Sequence, residues 1–283
     1  KALALILTAS LLTGVLTACG SSEAQTDAAE TTTEEAAAEE TAAAEETADT
    51  DAQAETGDLQ VITVAATAVP HAEILEAAKP ILAEQGYDLQ VTVFDDYVQP
   101  NEVVEAGDID CNYFQHIPYL NSYNEERGTH LVSVGEIHYE PIGIYAGTES
   151  DLSNISDGAD IAIPNDTTNE ARALLILQDN GIITLKEGAG IDATINDIAE
   201  NPHNINFVEV SKVLSEVAFA VINGNYALDA GLNAQTDALA SETSDSLAAQ
   251  TYVNVVVVKE GNEDNEGVKA LVDVLKSDDI KKF

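Results

Sequence analysis

The feature that most limits what this chain can fold into is an abrupt change of composition at residue 59. Residues 20–58 hold 13 Asp or Glu but no Lys or Arg, no aromatic residue and no branched aliphatic residue. Such a segment cannot bury enough apolar surface to offset the conformational entropy that folding costs. The sequence therefore predicts a disordered acidic linker over 19–58 and a folded body from residue 59 onward.

An apolar run precedes this linker. Residues 2–17 are mostly apolar, follow Lys1 and fall short of the roughly 20 residues that a bilayer-spanning helix needs. The run ends in Leu16-Thr17-Ala18-Cys19-Gly20, which resembles a bacterial lipobox, where the cysteine is lipidated on sulfur and becomes the mature N-terminus. We therefore expect a lipoprotein signal peptide over 1–18 and a lipid on Cys19 that anchors the protein to the cell membrane on its extracytoplasmic face. An incidental cysteine after an apolar run is the alternative.

The charge of the chain excludes several classes of partner. The chain has 51 acidic and 11 basic side chains, and from residue 59 onward 38 acidic groups still face 10 basic ones. Nucleic acid and anionic lipid headgroups are bound by clustered Lys and Arg, which this sequence lacks. Two cysteines cannot form a disulfide framework, whereas 45% apolar residues are ample for a core. The sequence predicts a globular body that binds no nucleic acid.

From residue 59 the sequence alternates β-branched runs with helical patterns. The runs predict strands at 61–66, 89–94, 131–134, 142–146, 160–163, 206–209, 220–223 and 252–259. Helical periodicity predicts helices at 74–82, 101–106, 117–127, 169–179, 212–218 and 268–275. This alternation is typical of an α/β fold with mostly parallel sheets that are covered by helices.

The size of the body indicates two lobes. For the 225 residues that follow the linker, two smaller lobes fit better than one large sheet. We expect lobe 1 to comprise 59–141 plus 252–283 and lobe 2 to comprise 142–251. The strands at 142–146 and 252–259 are the expected crossings between the lobes.

One stretch of the body is rich in aromatic residues and histidines. Eight of the fourteen Phe and Tyr residues and three of the five histidines lie between positions 94 and 145. Rings supply contact area and a few polar groups fix orientation, so this composition suits a pocket for a partly apolar small molecule. Core packing is the alternative for many of these rings, above all for Phe94 and Tyr145 inside predicted strands.

Arg172 is one of only two arginines in the chain. It follows a predicted strand and turn, at the beginning of a helix where Thr167 and Glu170 have the spacing of a capping box. An arginine in the first turn would add a two-donor fork to a helix terminus that already favours anions, so a ligand carboxylate is its natural partner. An ion pair with a surface Asp or Glu is the alternative.

The segment Asn223-Gly224-Asn225-Tyr226 follows a predicted strand and is a second candidate site. Glycine permits close approach of the backbone to a ligand, and amides can donate to a carboxylate or accept from an ammonium group. The alternative is an ordinary turn after the strand.

Two other chemistries fit the sequence less well. Cys111 and His116 could form the thiol and imidazole pair of a hydrolase, but their spacing does not guarantee contact and a cysteine near a strand end usually packs in the core. His116, His138 and Glu140 could bind a metal ion, although no HxxxH or CxxC spacing is present. No glycine-rich phosphate loop and no GxSxG motif occurs. The sequence therefore predicts neither an enzyme nor a cofactor.

Five short segments of the body form a recognisable series in chain order. They are Pro70-His71-Ala72-Glu73-Ile74-Leu75, Asp96-Tyr97-Val98-Gln99-Pro100-Asn101, Tyr113-Phe114-Gln115-His116, Ile163-Pro164-Asn165-Asp166 with Asn169-Glu170-Ala171-Arg172, and Ala220-Val221-Ile222-Asn223-Gly224-Asn225-Tyr226-Ala227. Together they resemble the NlpA family of methionine-binding lipoproteins. The resemblance runs from about residue 61 to the C-terminus. The family motif commonly has Ala in place of Cys111 and often Met in place of Ile142, and both differences are conservative in packing.

This resemblance implies a two-lobed periplasmic-binding-protein fold of type II, with two mixed sheets flanked by helices and with crossing hinge strands. It implies a lipid-anchored extracytoplasmic protein, not an enzyme, that captures methionine or a close derivative and delivers it to the permease of an ABC importer. We expect a monomer without a cofactor. A metal-binding lipoprotein that uses histidine and carboxylate ligands is the alternative.

The resemblance also implies a set of ligand-binding residues. Tyr97, Phe114 and His116 would line the pocket for the ligand side chain. Arg172 would hold the ligand carboxylate, and Asn223 would bond to the amino-acid head group. The remaining residues that the resemblance places in the site are Tyr119, His138, Asn169 and Asn225.

Overall fold

The computed structural model of this protein describes residues 59–209, 214–243 and 250–283. The expected signal peptide, Cys19 and the acidic linker lie outside these residues. Within the three described ranges, none of the helices combines the length and the hydropathy that crossing a bilayer requires.

Strands and helices alternate along the described chain. The strands are β1 (Gln60–Ala66), β2 (Tyr87–Val93), β3 (Cys111–His116), β4 (Leu131–Tyr139), β5 (Gly143–Ala146), β6 (Asp160–Ile163), β7 (Thr184–Leu185), β8 (Ile198–Glu200), β9 (Asn206–Glu209), β10 (Phe219–Ile222), β11 (Ala238–Ser241) and β12 (Val253–Lys259). The helices are α1 (Glu73–Glu84), α2 (Gln99–Ala106), α3 (Ile117–Arg127), α4 (Thr167–Asp179), α5 (Gly224–Asp229) and α6 (Glu266–Leu275). Each of the eight predicted strands is confirmed within a few residues, as are five of the six predicted helices.

The first sheet has the strand order β2-β1-β3-β12-β4. β1 pairs in parallel with β2 and β3, whereas β12 pairs antiparallel with β3 and β4. Residues 255–258 of β12 are fully buried, and a strand covered on both faces reads as a continuous apolar run. Helices α1 and α6 cover one face, where Leu75, Leu82 and Leu271 share a core with Val64 of β1.

The second sheet has the strand order β11-β5-β10-β6-β9. β10 pairs antiparallel with β5 and parallel with β6, which in turn pairs in parallel with β9. Leu174 and Leu177 of α4 pack in one core with Ile161, Ile163 and Phe219 of the sheet. Both sheets therefore mix parallel and antiparallel pairs.

The chain crosses between the two sheets twice. β4 ends at Tyr139 in the first sheet and β5 begins at Gly143 in the second, while β11 ends at Ser241 in the second sheet and β12 begins at Val253 in the first. This arrangement confirms the two-lobed α/β fold with two mixed sheets. The crossings are the connections before β5 and β12, since each of these two strands lies in a single sheet. The lobe limits at 141/142 and 251/252 stay a prediction.

The helix predicted at 212–218 is wrong in its described part. Residues 214–218 form bends, and 212–213 lie outside the described residues. The backbone of this segment is used by its neighbours, because Gly147 donates to the Ala218 carbonyl at 3.0 Å and Ala218 donates to Asp160 at 2.8 Å. A Cβ on Gly147 would lie 2.2 Å from the Val217 carbonyl oxygen, so the close approach requires glycine. These contacts between strands, and not the local periodicity, decide the backbone conformation here.

β3 was not predicted because it carries polar side chains in a strand that is buried throughout. These amides are paired with one another. The Asn101 side chain of α2 accepts from Asn112 at 2.9 Å and from Gln115 at 2.6 Å, and donates to Oε1 of Gln115 at 3.0 Å. Buried amides that satisfy each other in this way carry no desolvation penalty that would forbid a central strand.

Candidate functional site

A small buried cavity lies between the two lobes. Eight of the nine ligand-binding residues expected from the sequence line it, namely Tyr97, Phe114, His116, Tyr119, Asn169, Arg172, Asn223 and Asn225. Gln115, Glu140, Gly224 and Asn254 complete the lining. The cavity holds about 20 Å³, and it adjoins an outer cleft of about 410 Å³ that shares Tyr97, Tyr119 and Asn223 with it. An amino acid therefore enters the inner cavity only if the lobes or the lining side chains move apart.

His116 joins the two lobes at the floor of the cavity. It is the last residue of β3 and the N-cap of α3, where its Nδ1 accepts the Tyr119 backbone N–H at 3.1 Å. Its Nε2 lies 3.0 Å from Oδ1 of Asn169 in α4, so Nε2 carries the hydrogen. Burial lowers the pKa of His116 to about 3, and the charge of Arg172 acts in the same direction. The imidazole is therefore neutral and supplies shape and one fixed hydrogen bond.

Tyr97 is the centre of the aromatic part of the site. Its ring is stacked on Tyr226 with centroids 4.8 Å apart and lies 5.8 Å from Phe114 and 5.7 Å from Tyr119. The Tyr97 hydroxyl donates to Oδ1 of Asn225 at 2.6 Å, across from the first lobe to the second. The rings provide an apolar wall whose orientation is fixed by hydrogen bonds at its polar ends.

Arg172 is buried beneath the cavity, with only 3% of its side chain exposed. Its Nε lies 2.9 Å from Oε1 of Glu242, and Nη2 donates to Oε2 of Glu242 and, at 2.7 Å, to the Glu140 carbonyl oxygen. The guanidinium also lies over the Tyr252 ring, 4.5 Å from its centroid. These hydrogen bonds to Glu242 and Glu140 use Nε and Nη2 and not Nη1.

Two expectations about Arg172 are wrong. Asp166 is the N-cap of α4, and its carboxylate accepts the Asn169 backbone N–H at 3.0 Å, so Thr167 does not begin a capping box. Glu170 bonds instead to the Ile195 backbone N–H at 2.9 Å. Arg172 is the sixth residue of the helix and lies beyond the first turn, so the helix terminus adds little to its field. The ion pair that it makes is buried and not on the surface.

Glu242 is a site residue that sequence reasoning missed. Besides Arg172, its carboxylate accepts the Tyr139 hydroxyl at 2.6 Å and the Ile142 backbone N–H at 3.1 Å. Both oxygens are thus occupied, and the side chain ties α4 to the connection between β4 and β5. Nothing in the local sequence distinguishes Glu242 among 51 acidic residues.

Glu140 is bonded to Arg172 through its backbone carbonyl oxygen and also lines the cavity. Its Oε1 is 2.7 Å from Nε2 of His138 and 3.2 Å from Nε2 of His71. His138 itself stands behind Glu140 and not in the cavity lining, with its Nδ1 2.5 Å from the Tyr113 hydroxyl. The metal set expected from the sequence is therefore not assembled, because His71 takes the place that the sequence assigned to His116.

The segment after β10 closes the cavity from the second lobe. Asn223 is the N-cap of α5 by position, but its side chain makes no capping hydrogen bond and is buried beside the cavity. A Cβ on Gly224 would lie 2.8 Å from Cβ and 3.1 Å from Oε2 of Glu140. Glycine is required here because α5 approaches Glu140 so closely.

Cys111 and His116 do not form a catalytic pair. They stand at opposite ends of β3, and the Cys111 thiol faces the Thr63 carbonyl oxygen at 3.7 Å. Burial raises the pKa of this thiol well above its usual range, so the reactive thiolate is suppressed. Cys111 packs in the core of the first lobe.

Two lobes with mixed sheets, crossed twice by the chain and enclosing a polar and aromatic cavity, define a substrate-binding protein of a transport system and not an enzyme. The sequence model of the NlpA lipoprotein family matches residues 62–283. The chain belongs to this family.

Individual relatives agree with this assignment. The methionine-binding lipoprotein MetQ of Bacillus subtilis (strain 168) is 40% identical over 239 residues, which cover 81% of this chain and 86% of the relative. A solved structure from Ruminococcus gnavus ATCC 29149 is 65% identical with a TM-score of 0.78, covering 79% of this chain and 94% of that one. A nutrient-binding protein from Burkholderia cenocepacia, solved bound to methionine, is 41% identical with a TM-score of 0.74, covering 78% and 94%.

Proposed function

We propose that this protein captures methionine, or a close derivative, outside the cytoplasm and delivers it to the permease of an ABC importer. The observation that carries the proposal is one cavity that joins the Arg172 guanidinium to a wall of tyrosine and phenylalanine rings. Relatives named for methionine binding, and a similar structure bound to methionine, support the choice of ligand.

The aromatic wall suits the ligand side chain. Tyr97, Phe114 and Tyr119 present ring faces and edges to an unbranched thioether, and sulfur contacts with aromatic rings are favourable. Burying such a side chain contributes roughly 1.5 to 3 kcal/mol. Because His116 is neutral and its Nε2–H is bonded to Asn169, it adds no charge that would oppose an apolar guest.

The head group would meet Arg172 and Asn223. The Arg172 guanidinium lines the cavity and suits the ligand carboxylate, and a hydrogen bond to a charged group contributes about 1.5 to 3 kcal/mol. Neither this contact nor the side-chain pocket alone reaches the roughly 8 kcal/mol of micromolar affinity. Several anchors must therefore act together, and the closure of the lobes around the ligand supplies them by removing water from every contact.

We further propose that the protein acts as a monomer that is tethered to the membrane. Cys19 would carry the lipid after removal of residues 1–18, and residues 19–58 would serve as the linker. Its acidic side chains would be repelled by anionic headgroups. Cys19→Ser should abolish incorporation of a labelled fatty acid, and label retained in this variant would contradict the anchor.

A retention experiment tests the choice of ligand. The full chain, equilibrated with an equimolar mixture of the twenty amino acids, is passed through a desalting column, and the small molecules released on denaturation are identified by mass spectrometry. We expect methionine to be retained far above the other nineteen. Retention of another amino acid, or equal traces of all, would contradict the proposal.

A further inference from the structure

Tyr252 stands directly behind the ligand cavity and is not among the described residues that line it. It lies in the second connection between the sheets, immediately before β12, and is only 2% exposed. Its buried hydroxyl makes no hydrogen bond within the described part of the chain, and a buried polar group without a partner is costly. The contacts of its ring therefore indicate what Tyr252 does.

We infer that Tyr252 is a positioning residue for the captured amino acid, because its ring holds the Arg172 guanidinium at the place where the ligand carboxylate meets it. This inference rests on the proposed function and concerns how the carboxylate end of the site is fixed.

The Tyr252 ring makes a cation–π contact with Arg172. Cζ of Arg172 lies 4.5 Å from the centroid of this ring, closer than the 5.6 Å to the centroid of the Tyr139 ring. Burial alone would lower the pKa of Arg172, but the hydrogen bond and the charge of Glu242 raise it above its usual value, so the guanidinium is charged. An aromatic face attracts such a cation, and the attraction is stronger in a site that is shielded from water.

The ring restrains a part of Arg172 that its hydrogen bonds do not involve. The bonds to Glu242 and to the Glu140 carbonyl oxygen use Nε and Nη2, which form one edge of the guanidinium. Bonds along one edge act mainly in the plane of the group and resist tilting about that edge less well. The ring contact lies outside this edge and limits such tilting.

Tyr252 is itself held in place by the first lobe. The His116 ring packs against it edge to face, with centroids 5.0 Å apart and ring planes at 78°. His116 is fixed in turn, since its Nδ1 accepts the Tyr119 backbone N–H at 3.1 Å. On the other side of Tyr252 along the chain, Val253 begins β12 and pairs with Tyr139 of β4. The ring therefore has a defined position relative to the first sheet.

One ring thus connects the two ends of the proposed ligand site. His116 belongs to the pocket for the ligand side chain and Arg172 to the carboxylate end, and Tyr252 contacts both. Asn169, three residues before Arg172 in α4, adds a second link through its bond to His116 at 3.0 Å. Groups that are held at a fixed separation bind a ligand with less loss of side-chain freedom, which favours affinity.

Calorimetric titration of L-methionine into three variants of the full chain tests the inference. Tyr252→Leu removes the ring and should weaken binding about 5- to 30-fold, the range of a cation–π contact that is shielded from water. Tyr252→Phe keeps the ring and should restore the affinity to within about twofold of the wild type. An affinity of Tyr252→Leu equal to the wild type, or no restoration by Tyr252→Phe, would overturn the inference.

Tyr145→Leu is the matched control. Tyr145 of β5 is 1% exposed, its hydroxyl also lacks a partner among the described residues, and it lies outside the lining of the cavity. Its loss should therefore lower stability and leave methionine affinity within about twofold. A loss of affinity as large as that of Tyr252→Leu would show that any buried tyrosine has this effect, and would overturn the inference.

L-methioninamide separates positioning of Arg172 from general support of the pocket. This ligand has an uncharged carboxamide in place of the carboxylate, so Tyr252→Leu should change its affinity less than about threefold. The rise of the thermal midpoint with ligand concentration reports even millimolar affinity. Equal losses for methionine and its amide would overturn the positioning role, because the ring would then support the whole pocket.

Failure of the inference differs from failure of the proposed function. If the proposed function is wrong, the unchanged protein binds no methionine, whereas if only the inference is wrong, it binds methionine and Tyr252→Leu binds it equally well. If Tyr252→Leu does not fold, Tyr252→Met replaces it with the same expectations, since a flexible methionine fills irregular space in a core.

Discussion

Two glutamates contact Arg172, and their carboxylates are used in different ways. Glu242 has both oxygens occupied by the guanidinium, by Tyr139 and by a backbone N–H. Glu140 has one oxygen held by two imidazoles and the other turned to the cavity without a described partner. A carboxylate whose acceptor positions are filled fixes the structure, whereas one with a spare oxygen can bind a cation.

The different use of the two carboxylates explains how one arginine can serve the fold and the ligand together. The Nε and Nη2 edge of Arg172 is consumed by Glu242 and by the Glu140 carbonyl oxygen. This pairing keeps a buried guanidinium charged and fixed in place, since a charge without a partner would be costly in a buried site. The guanidinium is therefore held in one orientation at the edge of the cavity. The comparison predicts which substitutions affect stability and which affect affinity.

Substitution of Arg172, which contacts both glutamates, should have the largest effect on stability and on affinity. Arg172→Ala leaves Glu242 as a buried charge without its counterion and removes the ligand carboxylate contact. The free energy of unfolding in urea should fall by about 3 to 5 kcal/mol, and methionine affinity by more than about 100-fold. The other arginine provides the control, because Arg127 is half-exposed and 3.8 Å from Glu102, and Arg127→Ala should change stability by less than about 1 kcal/mol. Near-wild-type affinity in Arg172→Ala would show that the head-group site lies elsewhere.

Substitutions of Glu242 and of Glu140 should differ in their effect on the free energy of unfolding. Glu242→Gln removes the counterion of a buried arginine and should lower the free energy of unfolding by about 3 kcal/mol. Glu140→Gln keeps a carbonyl oxygen that can accept from both imidazoles and removes a buried charge, so it should cost less than about 1 kcal/mol. Urea unfolding of the two variants checks the order. The comparison fails if Glu140→Gln proves the more destabilising.

Low pH should reduce the contribution to stability of His71, which contacts the Glu140 carboxylate. The pKa of His71 is lowered to about 4 in the folded protein, from 6.5 when exposed, so the unfolded chain takes up this proton first as the pH falls. The contribution of His71 is therefore complete above pH 6.5 and is lost between pH 6.5 and about 4. Between pH 6.5 and about 4, the unfolding free energies of the wild type and of His71→Asn should come about 3 kcal/mol closer together. Parallel curves would show that the imidazole takes up its proton equally in both states.

The smallest effect is expected at Asn223. Its side chain makes no capping hydrogen bond to α5, so Asn223→Ala should leave the thermal midpoint almost unchanged. Loss of one amide contact to the head group should weaken methionine binding about tenfold, which corresponds to about 1.4 kcal/mol. Calorimetry and thermal unfolding of the same sample check both parts. A large fall in the midpoint would assign Asn223 to the fold and not to the ligand.

Local sequence patterns predicted the parts of the fold that local interactions determine. The apolar run of β12 and the amphipathic pattern of α6 lie where periodicity placed them, because each is buried on the faces that its pattern marks. The segment 214–218 shows the limit, since bonds to Gly147 and Asp160 decide its conformation. β3 was missed for the same reason, because its amides are satisfied by Asn101 of α2.

The site also contains residues that local sequence patterns predict and residues that they do not. Seven of the eight predicted lining residues lie in short motifs that resemble a known family, and the eighth, Tyr119, follows one of these motifs by three positions. The hydrogen-bond partners within the site could not be predicted, because Glu242 lies 70 positions from Arg172 and Asn254 lies 183 positions from His71. Pairing of strands that are far apart in the sequence brings such distant side chains together. The role of Glu140 depends on that geometry and on no local pattern.

The most direct test of the central claim is a calorimetric titration of the full chain with L-methionine. We predict a single site per chain with micromolar or tighter affinity, about −8 kcal/mol or more favourable. Heats no larger than dilution for L-methionine, its D-isomer, its sulfoxide and methionine-containing dipeptides alike would contradict the account.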